Sequence, residues 1–293
     1  MTHAASTADL RASTLFSFTN HVVLVTGGAT GLGEIAAQAF IQNGSRVFIA
    51  SRKESELHST STRLNALGPG HCSYIIADLK DKAGCLALCA EMQRQTDRLT
   101  VLVNSTGASW GDEYYDYPEE AWDKLYSLNV KSVFYMTVGL EGLLGKGATM
   151  MDPGRVVNIA SMAGIQTGDV TTGEGGGLSR PGTGTFSYGP SKAATIHLTK
   201  TTASKLAPKH IMVNVICPGV FPSRMTNFGL EKFADALVQG QPTGRIGTPS
   251  DFGGLVLFLA SKGAAHMAGN AIEIDGGATL SGWRGGGRGG SRL

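Results

Sequence analysis

Cysteine, histidine and charge are all sparse in this chain of 293 residues. Its four cysteines (Cys72, Cys85, Cys89, Cys217) show no Cys-x-x-Cys spacing and lie in apolar stretches. That excludes a zinc ribbon or a disulfide scaffold and suits a reducing compartment. The seven histidines are scattered singly from His3 to His266, so no metal-ligand set is read from them. Charged residues make up 16% and the formal net charge is +2, too little to imply a nucleic-acid or membrane-surface partner. No apolar run approaches the ~20 residues of a membrane helix. A soluble protein is expected, with no membrane, nucleic-acid or metal partner.

Apolar residues, at 42%, are present in proportion to one large core or two small ones. Residues 1–15 are rich in Ala, Ser and Thr and read as a flexible N-terminal arm. Their single Arg and an Asp make a poor transit peptide. Residues 283–293 form a Gly/Arg tail with nothing to bury, expected to be disordered. Between them, over 16–282, short β-branched runs at 22–25, 46–50, 73–77, 100–103, 155–159, 211–216 and 271–274 predict buried strands. Helical stretches are predicted at 34–42, 54–67, 82–95, 119–138, 188–206 and 250–260. Strands alternating with helices imply an α/β fold, a doubly wound (Rossmann-type) seven-stranded parallel sheet in a single domain. Ligands of such sheets bind beyond the carboxyl ends of the strands. The glycine-rich stretch 164–184 is long for a structureless connection and reads either as a lid over an extended substrate or as a mobile insertion.

The segment Thr26-Gly27-Gly28-Ala29-Thr30-Gly31-Leu32-Gly33 follows the first strand and opens the first predicted helix. Glycines there let backbone approach a dinucleotide diphosphate, and free helix-start amides favour its charge. After the second strand, where a carboxylate would bind a ribose 2′-hydroxyl, the chain has Ser51-Arg52-Lys53. A hydroxyl and cations suit a 2′-phosphate, so NADP(H) is favoured over NAD(H). The alternative is that Arg52 and Lys53 only solvate the start of the next helix.

Tyr188 and Lys192 stand four residues apart in Ser187-Tyr188-Gly189-Pro190-Ser191-Lys192, which places both on one helical face. Reduction of a ketone by hydride leaves an alkoxide, so a proton donor must stand beside the carbonyl oxygen. Tyr188 is the candidate acid. An ammonium ~4 Å away at an effective dielectric of ~20 supplies the few kcal/mol needed to lower a phenol's pKa, so Lys192 is expected to lower that of Tyr188. Ser161 follows the strand at 155–159 and is placed to hydrogen-bond the substrate carbonyl.

With these residues, and with Asp78-Leu79, Asn104 to Gly107, Asn129 and Pro218-Gly219, the chain resembles the short-chain dehydrogenase/reductase family over about residues 16–282. Within it, the segments Asn104-Ser105-Thr106-Gly107-Ala108-Ser109-Trp110-Gly111, Gly189-Pro190-Ser191-Lys192 and Phe221-Pro222-Ser223-Arg224-Met225-Thr226 are most similar to 3-oxoacyl-[acyl carrier protein] reductases of rhamnolipid-biosynthesis type. The resemblance implies a catalytic set of Asn129, Ser161, Tyr188 and Lys192, in which Lys192 also binds the nicotinamide ribose and Asn129 holds a proton-relaying water. It implies cofactor contacts from Gly27, Thr30, Gly31, Leu32, Gly33, Ser51, Arg52, Lys53, Asp78, Leu79, Asn104, Gly107, Tyr188, Lys192, Pro218, Gly219 and Val220. It also implies a homodimer or homotetramer formed through the helix that carries Tyr188. Asn104-Ser105-Thr106-Gly107 departs from the family's usual Asn-Asn-Ala-Gly and adds hydroxyls that need partners if buried. Phe221, Pro222, Met225 and Phe228 read either as an apolar wall for the substrate or as core. Ser291-Arg292-Leu293 resembles a peroxisomal address; without it the expected location is cytoplasmic. Three arginines among the tail's glycines are too few for RNA.

The expected activity is NADPH-dependent reduction of a 3-oxoacyl thioester or related ketone. The alternatives are a secondary-metabolite (polyketide, terpenoid or alkaloid) ketoreductase, an alcohol or steroid-type dehydrogenase, and, outside enzymes, an NADPH-binding regulatory protein.

Overall fold

The computed structural model describes residues 8–167 and 182–280. The Gly/Arg tail, the C-terminal tripeptide and most of the stretch 164–184 lie outside them. Seven strands, β1 Val22–Thr26, β2 Arg46–Ser51, β3 His71–Ile76, β4 Val101–Asn104, β5 Gly154–Ile159, β6 Ile211–Pro218 and β7 Ala271–Ile274, form one parallel sheet in the order β3-β2-β1-β4-β5-β6-β7. The order reverses between β1 and β4, which opens a crevice at their carboxyl ends.

Both faces of the sheet are covered, as parallel strands require. Helices α2 Gly31–Gln42, α3 Glu54–Asn65 and α9 Pro249–Ala260 bury Val23, Val25, Phe40, Leu57 and Phe252 on one face. On the other, α4 Lys82–Gln95, α6 Ser132–Gly145 and α7 Tyr188–Leu206 bury Leu24, Met92, Met136, Leu140 and Leu206. Val23 and Val25 therefore point opposite to Leu24, the period-two alternation of a strand buried on both sides. The four cysteines are buried and free, and burial pushes their thiols up to about 11 or 12. They remain protonated and inert.

The structure departs from the predicted elements in four places. Within the segment read as a flexible arm, residues 12–15 form a short helix, α1 Ala12–Leu15. The Asp9 carboxylate binds the Arg11 guanidinium and the Thr14 hydroxyl there, a local polar cluster without hydrophobic periodicity. The predicted helix over 119–138 divides into α5 Glu119–Tyr126, a π-helical turn Ser127–Lys131 and α6, which runs on to Gly145. A helix with no predicted counterpart, α8 Asn227–Gln239, follows β6. Of the residues read as a substrate wall or core, Phe221 is core, its ring 5.9 Å from that of Phe252, whereas Met225 is exposed.

At the amino end of the sheet, far from the crevice, His21 sits with Nδ1 3.2 Å from the Thr100 hydroxyl. Burial, with help from the cations of Arg155, Arg98 and Lys262, pushes its imidazole down to about 4. The folded state therefore binds fewer protons than the unfolded chain between about pH 4 and the ordinary histidine value of 6.5. This contribution is complete above pH 6.5 and is lost on acidification toward 4, at most about 3 kcal/mol. Urea unfolding of the wild type from pH 7 to 4.5 should lose stability over that window. His21→Asn should flatten that part of the curve, and an unchanged slope would remove His21 as its cause.

Candidate active site

The crevice begins with the glycine turn. Thr26 at the end of β1 is buried, and its hydroxyl accepts the backbone N–H groups of Ser105 (3.1 Å) and Thr106 (3.2 Å) from the end of β4. One side chain thus clamps both strands at the crevice. Gly31 opens α2 at φ 57°, a left-handed conformation that favours glycine. At Gly33 a Cβ would run into the Gly27 carbonyl, so α2 packs directly on the turn. Thr30, the N-cap of α2, makes no side-chain cap bond, which leaves the helix-start amides to a ligand.

The residues present fit a bound dinucleotide. The Ser51 hydroxyl at the end of β2 and the Asn104 Oδ1 at the end of β4 are buried without a partner among the described residues. Such orphaned groups are costly unless something else satisfies them. Leu79 is buried and Asp78 binds the Lys80 N–H (3.1 Å) beyond β3. Arg52 is exposed, while Lys53 Nζ lies 3.2 Å from Glu56. On the other side, Pro218 ends β6, the Gly219 N–H donates to the Ile274 carbonyl (3.0 Å), and Val220 is buried.

The four residues of the expected catalytic set converge from three elements. Ser161 leaves β5 and caps a short 3-10 turn, Met162–Gly164, its Oγ accepting the Ala163 N–H at 3.2 Å. Its hydroxyl lies beside that of Tyr188, the first residue of α7, close enough to favour the ionised phenol. Lys192, one turn on, donates from Nζ to the Ile159 carbonyl (2.9 Å) and stands 5.7 Å from the Tyr188 ring centroid. Asn129 lies in the π turn, only 1% exposed. Its amide pairs with both backbone groups of Ala108 (2.9 and 3.0 Å) and with Ser191 Oγ (2.9 Å). A Cβ on Gly107 would lie 3.0 Å from Asn129 Oδ1 and 3.4 Å from Lys192 Nζ, so these three residues meet at one point. π turns recur where a helix must re-aim a functional side chain.

Electrostatically the site differs from the expectation that Lys192 lowers the Tyr188 pKa. Burial pushes the phenol up, opposed only by the Ser161 hydrogen bond, and burial pushes the Lys192 ammonium down to about 8. The Nζ is committed to the Ile159 carbonyl and lies over the ring, so desolvation outweighs its effect on the hydroxyl.

Sequence reasoning missed a buried polar ladder behind the site. Asn104 Nδ2 donates to Asn158 Oδ1, and Asn158 Nδ2 to Thr199 Oγ1, each at 2.9 Å. Thr195 Oγ1 donates to the Asn129 or Ser191 carbonyl, 2.8 and 2.9 Å away. It ties β4, β5 and α7 together. The signal was present as Asn and Thr in otherwise apolar strand and helix patterns. Also missed was Gln166, whose Nε2 is buried without a partner among the described residues five positions beyond Ser161.

Among known proteins, the family described as Enoyl-(Acyl carrier protein) reductase matches residues 27–279. The rhamnolipids biosynthesis 3-oxoacyl-[acyl-carrier-protein] reductase of Pseudomonas aeruginosa is 40% identical over 264 residues, covering 89% of this chain and 97% of its own. The 3-oxoacyl-[acyl-carrier-protein] reductase FabG of Thermotoga maritima is 30% identical over 259 residues, covering 88% and 98%. In structure, the Pseudomonas aeruginosa RhlG/NADP active-site complex superimposes with a TM-score of 0.82 at 39% identity, over 91% of this chain and 99% of that one.

Proposed function

Because the chain belongs to the short-chain dehydrogenase/reductase family of oxidoreductases, we propose that it is an NADPH-dependent carbonyl reductase acting on a 3-oxoacyl thioester or a related ketone. The observation that carries this reading is the approach of the Ser161 and Tyr188 hydroxyls at the carboxyl end of β5, two strands along the crevice from the glycine turn after β1. When bound, NADPH supplies the hydride. The helix-start amides of α2 and the turn from Gly27 to Gly33 would hold its diphosphate, and Ser51, Arg52 and Lys53 its 2′-phosphate. Asp78 and Leu79 bound the adenine side, whereas Asn104, Gly107, Pro218, Gly219 and Val220 bound the nicotinamide side.

Ser161 and Tyr188 both present O–H groups to the ketone oxygen. Tyr188 donates its proton as negative charge develops there, and Lys192 and Asn129 position the acid and the path that reprotonates it. An alkoxide is far more basic than a phenolate, so a phenol raised by burial still gives up its proton to one. The same burial keeps Tyr188 protonated at neutral pH, the form that donates to a ketone oxygen.

A second reading, a ketone of secondary metabolism, is favoured by the rim before α7. There the backbones of Asp112 and Gly184 pair, Phe186 stacks edge-on to Tyr114 and Tyr117, and the Tyr117 hydroxyl lies 2.7 Å from Ser187 Oγ. Glu113, Asp116, Glu119, Glu120 and Asp123 are exposed in the segment that carries Tyr114 and Tyr117 and none has an ion pair with a described residue, against one exposed cation there, Lys124, over the Trp110 ring. An acidic aromatic rim welcomes an uncharged ring and repels a polyanionic carrier.

Oxidation of NADPH and NADH with a short 3-oxoacyl thioester, an enoyl thioester and a panel of cyclic ketones separates these readings. Thioester turnover with NADPH supports the first, and ring-ketone turnover alone the second. Turnover only as alcohol oxidation would overturn both. Tight NADPH binding without turnover would leave a regulatory protein. The homodimer or homotetramer is proposed to form on the α5–α6–α7 side, where Trp122, Phe134 and Val138 are exposed. A sedimentation mass of one chain would refute it.

A further inference from the structure

Arg224 and Glu56 form a two-point ion pair, Nη1 to Oε1 and Nη2 to Oε2 both at 2.9 Å. They come from opposite walls of the cofactor crevice. Glu56 lies in the first turn of α3, directly after Ser51-Arg52-Lys53. Arg224 lies between β6 and α8, next to Ser223, whose Cβ would be 3.5 Å from a Cβ placed on Gly31. With Ala29, Thr30, Ser55 and Ser59 the pair lines a cleft of about 340 Å³. Glu34 in the same cleft is matched by Arg63.

The pair's side chains are 62% and 29% exposed, and exposed ion pairs contribute little to stability. Its location is more informative. Lys53 Nζ also contacts Glu56, at 3.2 Å, so two cations are held by one carboxylate. Arg224 beside it keeps that carboxyl down at about 2, ionised at any working pH. A bare carboxylate here would repel a 2′-phosphate at Ser51 and would also hold Lys53 away from it. A guanidinium that occupies both carboxylate oxygens offsets that charge and so weakens the hold on Lys53, whose contact with Oε1 persists at 3.2 Å.

We propose that Arg224 determines the preference for NADPH: by neutralising Glu56 it completes the 2′-phosphate subsite of Ser51, Arg52 and Lys53, and it ties the segment 222–226 over the diphosphate turn. This rests on the NADPH reading above. The test compares wild type, Arg224→Ala, Glu56→Gln and the double variant by titration calorimetry with 2′,5′-ADP and 5′-AMP, and by fluorescence titration with NADPH and NADH. Thermal melts check that each variant is folded.

Arg224→Ala should weaken 2′,5′-ADP and NADPH about tenfold or more while 5′-AMP and NADH change less than about twofold. Adding Glu56→Gln should restore most of the loss, because an amide needs no counter-charge. Equal losses for both classes of nucleotide, or a loss that Glu56→Gln does not repair, would overturn the assignment. A wild-type preference for 2′,5′-ADP that survives in Arg224→Ala would overturn it alone. Wild-type protein that binds 5′-AMP as tightly as 2′,5′-ADP would overturn the NADPH reading and the assignment together.

Discussion

Tyr188→Phe is expected to lower kcat by about 10²- to 10⁴-fold, the range that a positioned general acid supplies, while the NADPH dissociation constant changes little. The substitution removes one oxygen atom. The ring remains beneath Lys192, whose Nζ keeps its bond to the Ile159 carbonyl, so the cofactor side of the site is preserved. What is lost is the donor beside the Ser161 hydroxyl. Steady-state turnover with the best ketone, paired with an NADPH fluorescence titration, distinguishes this from a folding defect. Undiminished kcat would show that the proton comes from elsewhere and would favour a role for the fold without chemistry at Tyr188. Lost NADPH binding would instead make Tyr188 a structural residue.

Gly33→Ala is expected to have the largest effect outside the catalytic set. Its Cβ would have to occupy space held by the backbone carbonyl of Gly27, and backbone there cannot swing aside as a long side chain can. Overpacking of this kind costs about 1–3 kcal/mol and sometimes more. Here the strain falls on the turn proposed to hold the diphosphate. NADPH affinity should fall about 100-fold or more, with a melting temperature lower by roughly 5 °C or more. A variant that melts and binds like the wild type would mean that the turn does not hold the cofactor. Gly31→Ala, strained by its positive φ but meeting only an ordinary contact, Ser223 Cβ at 3.5 Å, should be milder on stability.

The seven-stranded parallel sheet was legible because strands buried on both faces read as short β-branched runs, and because helices must intervene between them. The ends of α4 and α7 matched residue for residue. The long helix predicted over 119–138 failed at its middle, since a π turn changes backbone hydrogen bonding without interrupting the hydrophobic pattern. The helix α8 failed for the opposite reason: Pro218, Gly219 and Pro222 just ahead of it signal turns, and helical φ/ψ angles are interrupted within it at Phe233.

In the site, the i,i+4 pair of Tyr188 and Lys192 and the glycine turn after β1 could be read directly, because local spacing determines which side chains share a helical face or a turn. The direction of the Tyr188 shift could not. It depends on how deeply the phenol is buried and on where the Lys192 ammonium is spent, and the Ile159 carbonyl that takes it lies 33 residues away in the chain. Arg224 and Glu56 are 168 residues apart, and nothing local to either residue predicts the pairing. The sequence alone thus determined the fold class, the order of its elements and the residue types available for hydride chemistry, since periodicity and turn propensity are short-range. Only the tertiary structure decided which charges meet and which hydroxyls lose water, because desolvation and Coulomb interaction depend on distance through space, which the folded sheet alone establishes.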